Sequence, residues 1–207
     1  KRFEGELAAY AGAKYAIGVG NGTDALWLTF MALGLGPGDE LITNANTFFA
    51  TAEAMWIAGC TAVLVDCDPL TKCIDPEAVR KAITPRTKAI FIGYPSNPTG
   101  AVAPREVMLE IGKIAEQHNL IVVSDEIYDR LVYDFEHVCF PALDEGLRER
   151  TVLLGGFSKA YAMTGWRIGY ACAPKDILQG MLRVHQYTIM SAPTTAQDAA
   201  TEALKTG

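Results

Sequence analysis

Apolar residues along this chain fall into two kinds of run. Short solid blocks read as buried strands, at residues 15–19, 40–43, 61–65, 88–92, 120–124, 151–154 and 168–173. Longer stretches with apolar positions three and four apart read as helices: 4–11, a pattern closing at Leu33, one running to Ala58, then 104–118, 176–187 and 193–204. Gly36-Pro37-Gly38-Asp39 is a turn that feeds the second strand. Asp66, Asp68 and Asp75, in company with Pro69 and Pro76, read as turn and helix-cap residues, since their spacing fits no ion-binding loop. Residues 129–150 are a mixed, charged connector, partly helical and near the surface. Strands alternating with helices predict an α/β fold on a mostly parallel sheet. The link from 151–154 to 168–173 is too short for a helical crossover, so the seventh strand is expected to run antiparallel.

Composition narrows the class. The 207 residues are half hydrophobic and one-fifth charged, an ordinary globular balance with room for a full core in one or two domains. A net charge of -6 and a pI near 5.1 argue against a nucleic-acid surface. No apolar run approaches the span of a bilayer, and the opening Lys1-Arg2-Phe3-Glu4-Gly5-Glu6 lacks the apolar core of a signal peptide. Cys60, Cys67, Cys73, Cys139 and Cys172 are odd in number and form no C-x-x-C, which reads as reduced thiols in a cytoplasmic protein. His118, His137 and His185 are scattered, and no metal set is expected.

Candidate chemistry concentrates where strands end. Residues 155–170, between the last two strands, form a turn of small residues carrying Lys159 and, eight positions on, Arg167. A lysine near dry walls and a second cation loses its proton more easily, as a Schiff-base lysine requires. The guanidinium of Arg167 offers a planar fork suited to phosphate. The bland alternative is a solvated loop with two ordinary cations. Earlier, the first strand runs through Gly20-Asn21-Gly22-Thr23 into a helix, so free N–H groups and the helix dipole converge on an anion site. A dinucleotide fingerprint competes for that turn, but Thr23 stands at its third glycine position and the next strand ends without the ribose-binding acid. Asp125 closes an apolar strand, where a buried carboxylate is costly unless it meets a cation. A protonated pyridine nitrogen is one such cation; a capping Asp is the plainer reading. Asn97, between Pro95 and Pro98, has a constrained backbone and an amide able to donate.

Ser-Lys-Ala-Tyr-Ala-Met-Thr-Gly-Trp-Arg-Ile-Gly-Tyr resembles the lysine signature of the class I and II aminotransferases, fold-type I enzymes that use pyridoxal 5'-phosphate (PLP). The class I/II text runs from about Ala89 onward. Residues 3–88 look more like the sugar aminotransferases of the DegT/DnrJ/EryC type, through Val-Gly-Asn-Gly-Thr-Asp-Ala-Leu, Leu-Gly-Pro-Gly-Asp-Glu and Asn-Thr-Phe-Phe-Ala-Thr-Ala. Both families share one fold, which implies a three-layer α/β/α sandwich on a seven-stranded sheet with one antiparallel strand. The resemblance implies that Lys159 holds PLP as a Schiff base and shuttles the substrate's α proton, and that Arg167 binds the phosphate. It implies Gly22 and Thr23, with Asn21 beside them, as the phosphate cup, and Phe48 stacked on the pyridine ring. Asn97 and Tyr128 would hold the phenolic oxygen, and Asp125 the ring nitrogen. Where many relatives carry Ser or Thr three positions before the lysine, this chain has Gly156, which leaves Ser158 as a substitute.

The expected activity is amino-group transfer between an amino donor and a keto acid or keto sugar. The alternative is a PLP-binding domain without efficient turnover. The family's small domain, which carries the substrate-carboxylate arginine, and its N-terminal arm are expected to lie outside residues 1–207, which would form the PLP-binding large domain. Helices before Tyr15 and after Ala173 would then expose apolar surface, and a homodimer is expected.

Overall fold

The computed structural model describes residues 2–206, and the seven anticipated strands form one sheet. They are β1 (Ala16–Val19), β2 (Glu40–Asn44), β3 (Thr61–Val65), β4 (Thr87–Gly93), β5 (Ile121–Asp125), β6 (Thr151–Gly156) and β7 (Gly169–Cys172), in the order β1-β7-β6-β5-β4-β2-β3. β7 lies antiparallel to both its neighbours, β6 and β1, while every other pairing is parallel. The short link from β6 to β7 thus has the consequence expected of it.

Side chains alternate across the sheet with the strand period of two. On β4 and β5, Phe91 and Val123 join one buried cluster, whereas Ile90, Ile92 and Val122 join the cluster on the other face. The first cluster is covered by α2 (Gly22–Ala32), α3 (Phe49–Ala58) and α8 (Lys175–Gln186). The second lies beneath α4 (Pro76–Ala82), α5 (Arg105–Gln117) and α6 (Glu145–Arg148). A third brings α1 (Arg2–Tyr10) and α9 (Thr194–Thr206) together with Phe157 of α7 (Phe157–Ala160). α2 is apolar nearly all round because it is enclosed, with Leu28 and Phe30 fully buried. α8 crosses it closely at Gly180, where an added Cβ would lie 3.0 Å from the Cβ of Ala32.

Two expectations need revision. The 129–150 connector is not wholly superficial: Phe140 is fully buried and Leu147 nearly so, both within the second cluster. Apolar exposure is also distributed differently. α1 buries Phe3 and Leu7 against α9, leaving Tyr10 and the following Tyr15 partly exposed there, whereas the far edge of the sheet exposes Phe49, Trp56 and Ile57 of α3 and Leu64 of β3. Amphipathic pairing with α9 explains the first, and among the described residues no strand lies beyond β3 to cover the second. The region after Ala173 does expose Leu182, Tyr187, Ile189 and Met190.

Candidate active site

All ten residues singled out above line one cleft of about 420 Å3. It opens at the carboxyl ends of β4, β5 and β6, where open α/β sheets place their ligands. A second cavity of about 360 Å3 lies at the opposite ends of β6 and β7, between Thr151 and Cys172. It shares no lining residue with the first and includes none of those ten.

The floor of the cleft is Asp125, the last residue of β5, whose Oδ1 accepts from the Ile127 N–H at 3.2 Å. No ion-pair partner faces it among the described residues. Burial pushes its carboxyl up to about 6, against the smaller opposing effect of the Ile127 hydrogen bond, and Glu126 adds repulsion. This is a carboxylate short of a cation. Lys159 stands on the one-turn helix α7, and its Nζ lies 5.7 Å from the centroid of the Tyr128 ring. The Tyr128 hydroxyl is within 3.4 Å of the Asn97 amide nitrogen, so two sequence-distant polar groups converge on one wall.

The α2 end of the cleft is an anion site by construction. Asn21 caps the helix: its Oδ1 accepts from the Asp24 N–H at 3.0 Å and its Nδ2 donates to Asp24 Oδ2 at 2.8 Å. Its side chain is therefore committed to the cap, while Gly22 and Thr23, whose first-turn N–H groups have no intrahelical acceptor, line the cleft. The turn nests against β7 at Gly169, where a Cβ would come within 3.1 Å of the Asn21 backbone. Arg167 reaches the same cleft from a left-handed backbone, φ 52°, and its Nη1 donates to the Thr164 carbonyl at 3.0 Å. A non-glycine residue held there stores strain of about 1–3 kcal/mol, of the kind found at ligand clamps. Gly156 cannot carry a hydroxyl without displacement, since its Cβ would fall 2.8 Å from Ile127 Cδ1. Ser158 lines the cleft instead.

Phe48, the residue before α3, lines the mouth and is 57% exposed; Phe49 points elsewhere and is 74% exposed, so neither packs in the core. Three hydroxyls not foreseen from sequence also line the cleft: Thr47, Thr51 and Thr164. Thr47 and Thr51 approach to 3.3 Å between their Oγ1 atoms, an i,i+4 pair that helical spacing at 47–51 could have flagged. Among the described residues no group of three or more His, Cys, Asp or Glu could hold a metal ion, and no helix is long and apolar enough to cross a membrane.

A carboxylate awaiting a cation, an anion-binding helix end and a lysine in one cleft suit a phosphorylated pyridine aldehyde. The family model for aminotransferase class I and II matches residues 1–207, and the chain belongs to that family. The match runs through residues 3–88 as well as the later portion. Class I and II aminotransferases of this type use pyridoxal phosphate. The chain is 44% identical over 184 residues to the aspartate/prephenate aminotransferase of Thermus thermophilus, covering 88% of this chain and 47% of that protein. It is 36% identical over 204 residues to the probable N-acetyl-LL-diaminopimelate aminotransferase of Bacillus subtilis, covering 99% and 49%. The solved aspartate aminotransferase from Thermus thermophilus with maleate superposes with a TM-score of 0.88 at 42% identity, over 92% of this chain and 49% of the other. The chain spans about half the length of the curated relatives it matches.

Proposed function

We propose that residues 1–207 are the cofactor-binding large domain of a PLP-dependent aminotransferase, which moves an amino group between an amino acid and a keto acid or keto sugar. The observation that carries this reading is Asp125, a partly buried side chain at the cleft floor whose carboxyl is pushed up to about 6 by desolvation, with no salt-bridge partner among the described residues, in the same cleft as Lys159. Bound PLP supplies an aldehyde that captures amino groups and a protonated ring that accepts electrons from the substrate's Cα–H bond. Asp125 would hold the proton on the ring nitrogen. Lys159 Nζ would hold the aldehyde carbon and, once freed by an incoming amine, take the Cα proton. Arg167, the N–H groups of Gly22 and Thr23 and the hydroxyl of Ser158 would bind the phosphate, with Asn21 fixing the turn from its cap position. Phe48 would cover one ring face at the mouth, while Asn97 and Tyr128 would donate to the phenolic oxygen.

Relatives named for aspartate, prephenate and N-acetyl-LL-diaminopimelate favour an amino-acid donor and keto-acid acceptor. The sugar-aminotransferase text of residues 3–88 supports a keto sugar as the other acceptor class. Small molecules are thus the partners of the site, alongside a second copy of the chain. Unpaired thiols, three of them buried, fit a reducing cytoplasm. The test is reduction of the PLP-loaded protein with borohydride followed by peptide mapping. The pyridoxyl label is expected on Lys159 and absent from Lys159→Ala; a label on another lysine would overturn the assignment.

A further inference from the structure

Behind the cleft lies a second polar cluster that has no part in the roles above. Glu126 follows Asp125 but points away from the cleft, and it is only 4% exposed. Its Oε1 accepts from Ser124 Oγ at 2.9 Å and from the Phe140 N–H at 2.9 Å, with the Tyr94 hydroxyl at 3.2 Å. Its Oε2 lies 2.6 Å from His137 Nε2. The Tyr94 hydroxyl also reaches the Val138 carbonyl at 2.5 Å, and the Tyr94 and His137 rings lie 5.3 Å apart. The other nitrogen of His137, Nδ1, is buried with no hydrogen-bond partner among the described residues. Among the described residues the ring's one hydrogen-bonding attachment is therefore Glu126.

These contacts join three chain segments. β4 and β5 end side by side, with Gly93 paired to Asp125 and the Tyr94 N–H donating to the Asp125 carbonyl at 3.0 Å. Beyond that point the two chains diverge into separate loops. One carries Asn97; the other carries Tyr128. Residues 137–140 cross behind both and tie them to a single buried carboxylate. A buried carboxylate with several donors is rigid because removing one donor leaves charge uncompensated.

We propose that Glu126 and His137 form a clasp whose task is to position the Asn97 and Tyr128 loops, so that amide and hydroxyl meet the cofactor's phenolic oxygen together. The clasp acts through Tyr94 on one loop and through its own backbone on the other. His137 and Glu126 touch neither cofactor nor substrate and are positioning residues. This inference rests on the PLP reading above.

The experiment uses the 207-residue chain and PLP itself. Binding is followed by absorbance titration, and the pH midpoint of the bound cofactor's visible band is measured. Hydrogen bonds to the anionic phenolic oxygen favour loss of the linked proton, so slackened donors raise that midpoint. His137→Ala is expected to weaken PLP binding about tenfold and to raise the midpoint by about half a pH unit or more, with Lys159 still labelled. His137→Gln retains a donor and is expected to return affinity to within about threefold of the parent. Tyr94→Phe, which removes a single hydroxyl, should shift both readouts the same way by less, and serves if His137→Ala does not fold. A folded His137→Ala with the parent's affinity and midpoint overturns the clasp, as does failure of a folded His137→Gln to restore them. If the parent binds no PLP, the PLP reading fails and the clasp falls with it. If the parent binds and is labelled at Lys159 while the variants match it, the clasp alone fails.

Discussion

Asp125 shows what a site residue costs the fold that carries it. Its carboxyl binds a proton more tightly in the folded chain, near 6, than at its ordinary value of 3.8. Between those values the folded state holds the extra proton, so the contribution of Asp125 to stability is fully present below its ordinary value and is lost as pH rises through about 6. Without cofactor, Asp125→Asn should therefore be more stable than the parent at pH 8 by about 1–3 kcal/mol, with the advantage vanishing near pH 4. Urea unfolding at the two pH values measures it; parallel curves for parent and variant would remove Asp125 as the source. With PLP present the order should reverse in function, and the Asn variant should slow any half-reaction by several orders of magnitude. The place of Asp125 at the cleft was legible in sequence because it closes an apolar strand, although a capping role was the plainer reading of the same position. Thr47, Thr51 and Glu126 were not singled out. Apart from Ser124, the partners of Glu126 lie 11, 14 and 32 positions away, so only the fold brings them together.

At the scale of elements, hydrophobic periodicity located the strands to within a residue or two, because each is a solid apolar block in a sheet covered on both faces. It could not order them: β1 sits at the edge beside β7, a pairing set by packing rather than by neighbours in sequence. Periodicity also missed the anchoring of the 129–150 connector, where one buried aromatic, Phe140, stands among charged residues. The junction of β6 with α7 illustrates how tightly elements constrain chemistry. Gly156 faces Ile127 at 2.8 Å and the Gly169 Cα at 3.3 Å from a hypothetical Cβ, so a side chain there must displace its neighbours. Gly156→Ser should therefore cost about 1–3 kcal/mol of stability by overpacking. Adding Ile127→Val, which removes the nearer obstruction, should recover part of that loss. Thermal unfolding of the single and double variants decides it: a single variant as stable as the parent would show that the loop yields freely.

For the whole molecule the open question is what covers its apolar surface. Phe49 is 74% exposed, Trp56 79%, Tyr187 85% and Met190 79%, too many large apolar groups to be scattered at random. Some of this surface adjoins the cleft. Phe49 follows the cleft-lining Phe48, and Ile189, in the same segment as Tyr187, has its Cδ1 within 3.4 Å of a Cβ built on Gly20, next to the Asn21 cap. Surface of this kind beside a ligand site is covered most economically by an identical copy, because a two-fold axis satisfies both patches at once. We therefore expect a homodimer whose interface borders the Lys159 cleft. Sedimentation equilibrium at micromolar concentration should give about twice the 22.4 kDa chain mass. Trp56→Lys together with Met190→Lys should shift it toward monomer and weaken PLP binding, since the mouth would lose its cover. A parent that sediments as a 22.4 kDa species with PLP still bound would show that a single chain completes the cofactor site.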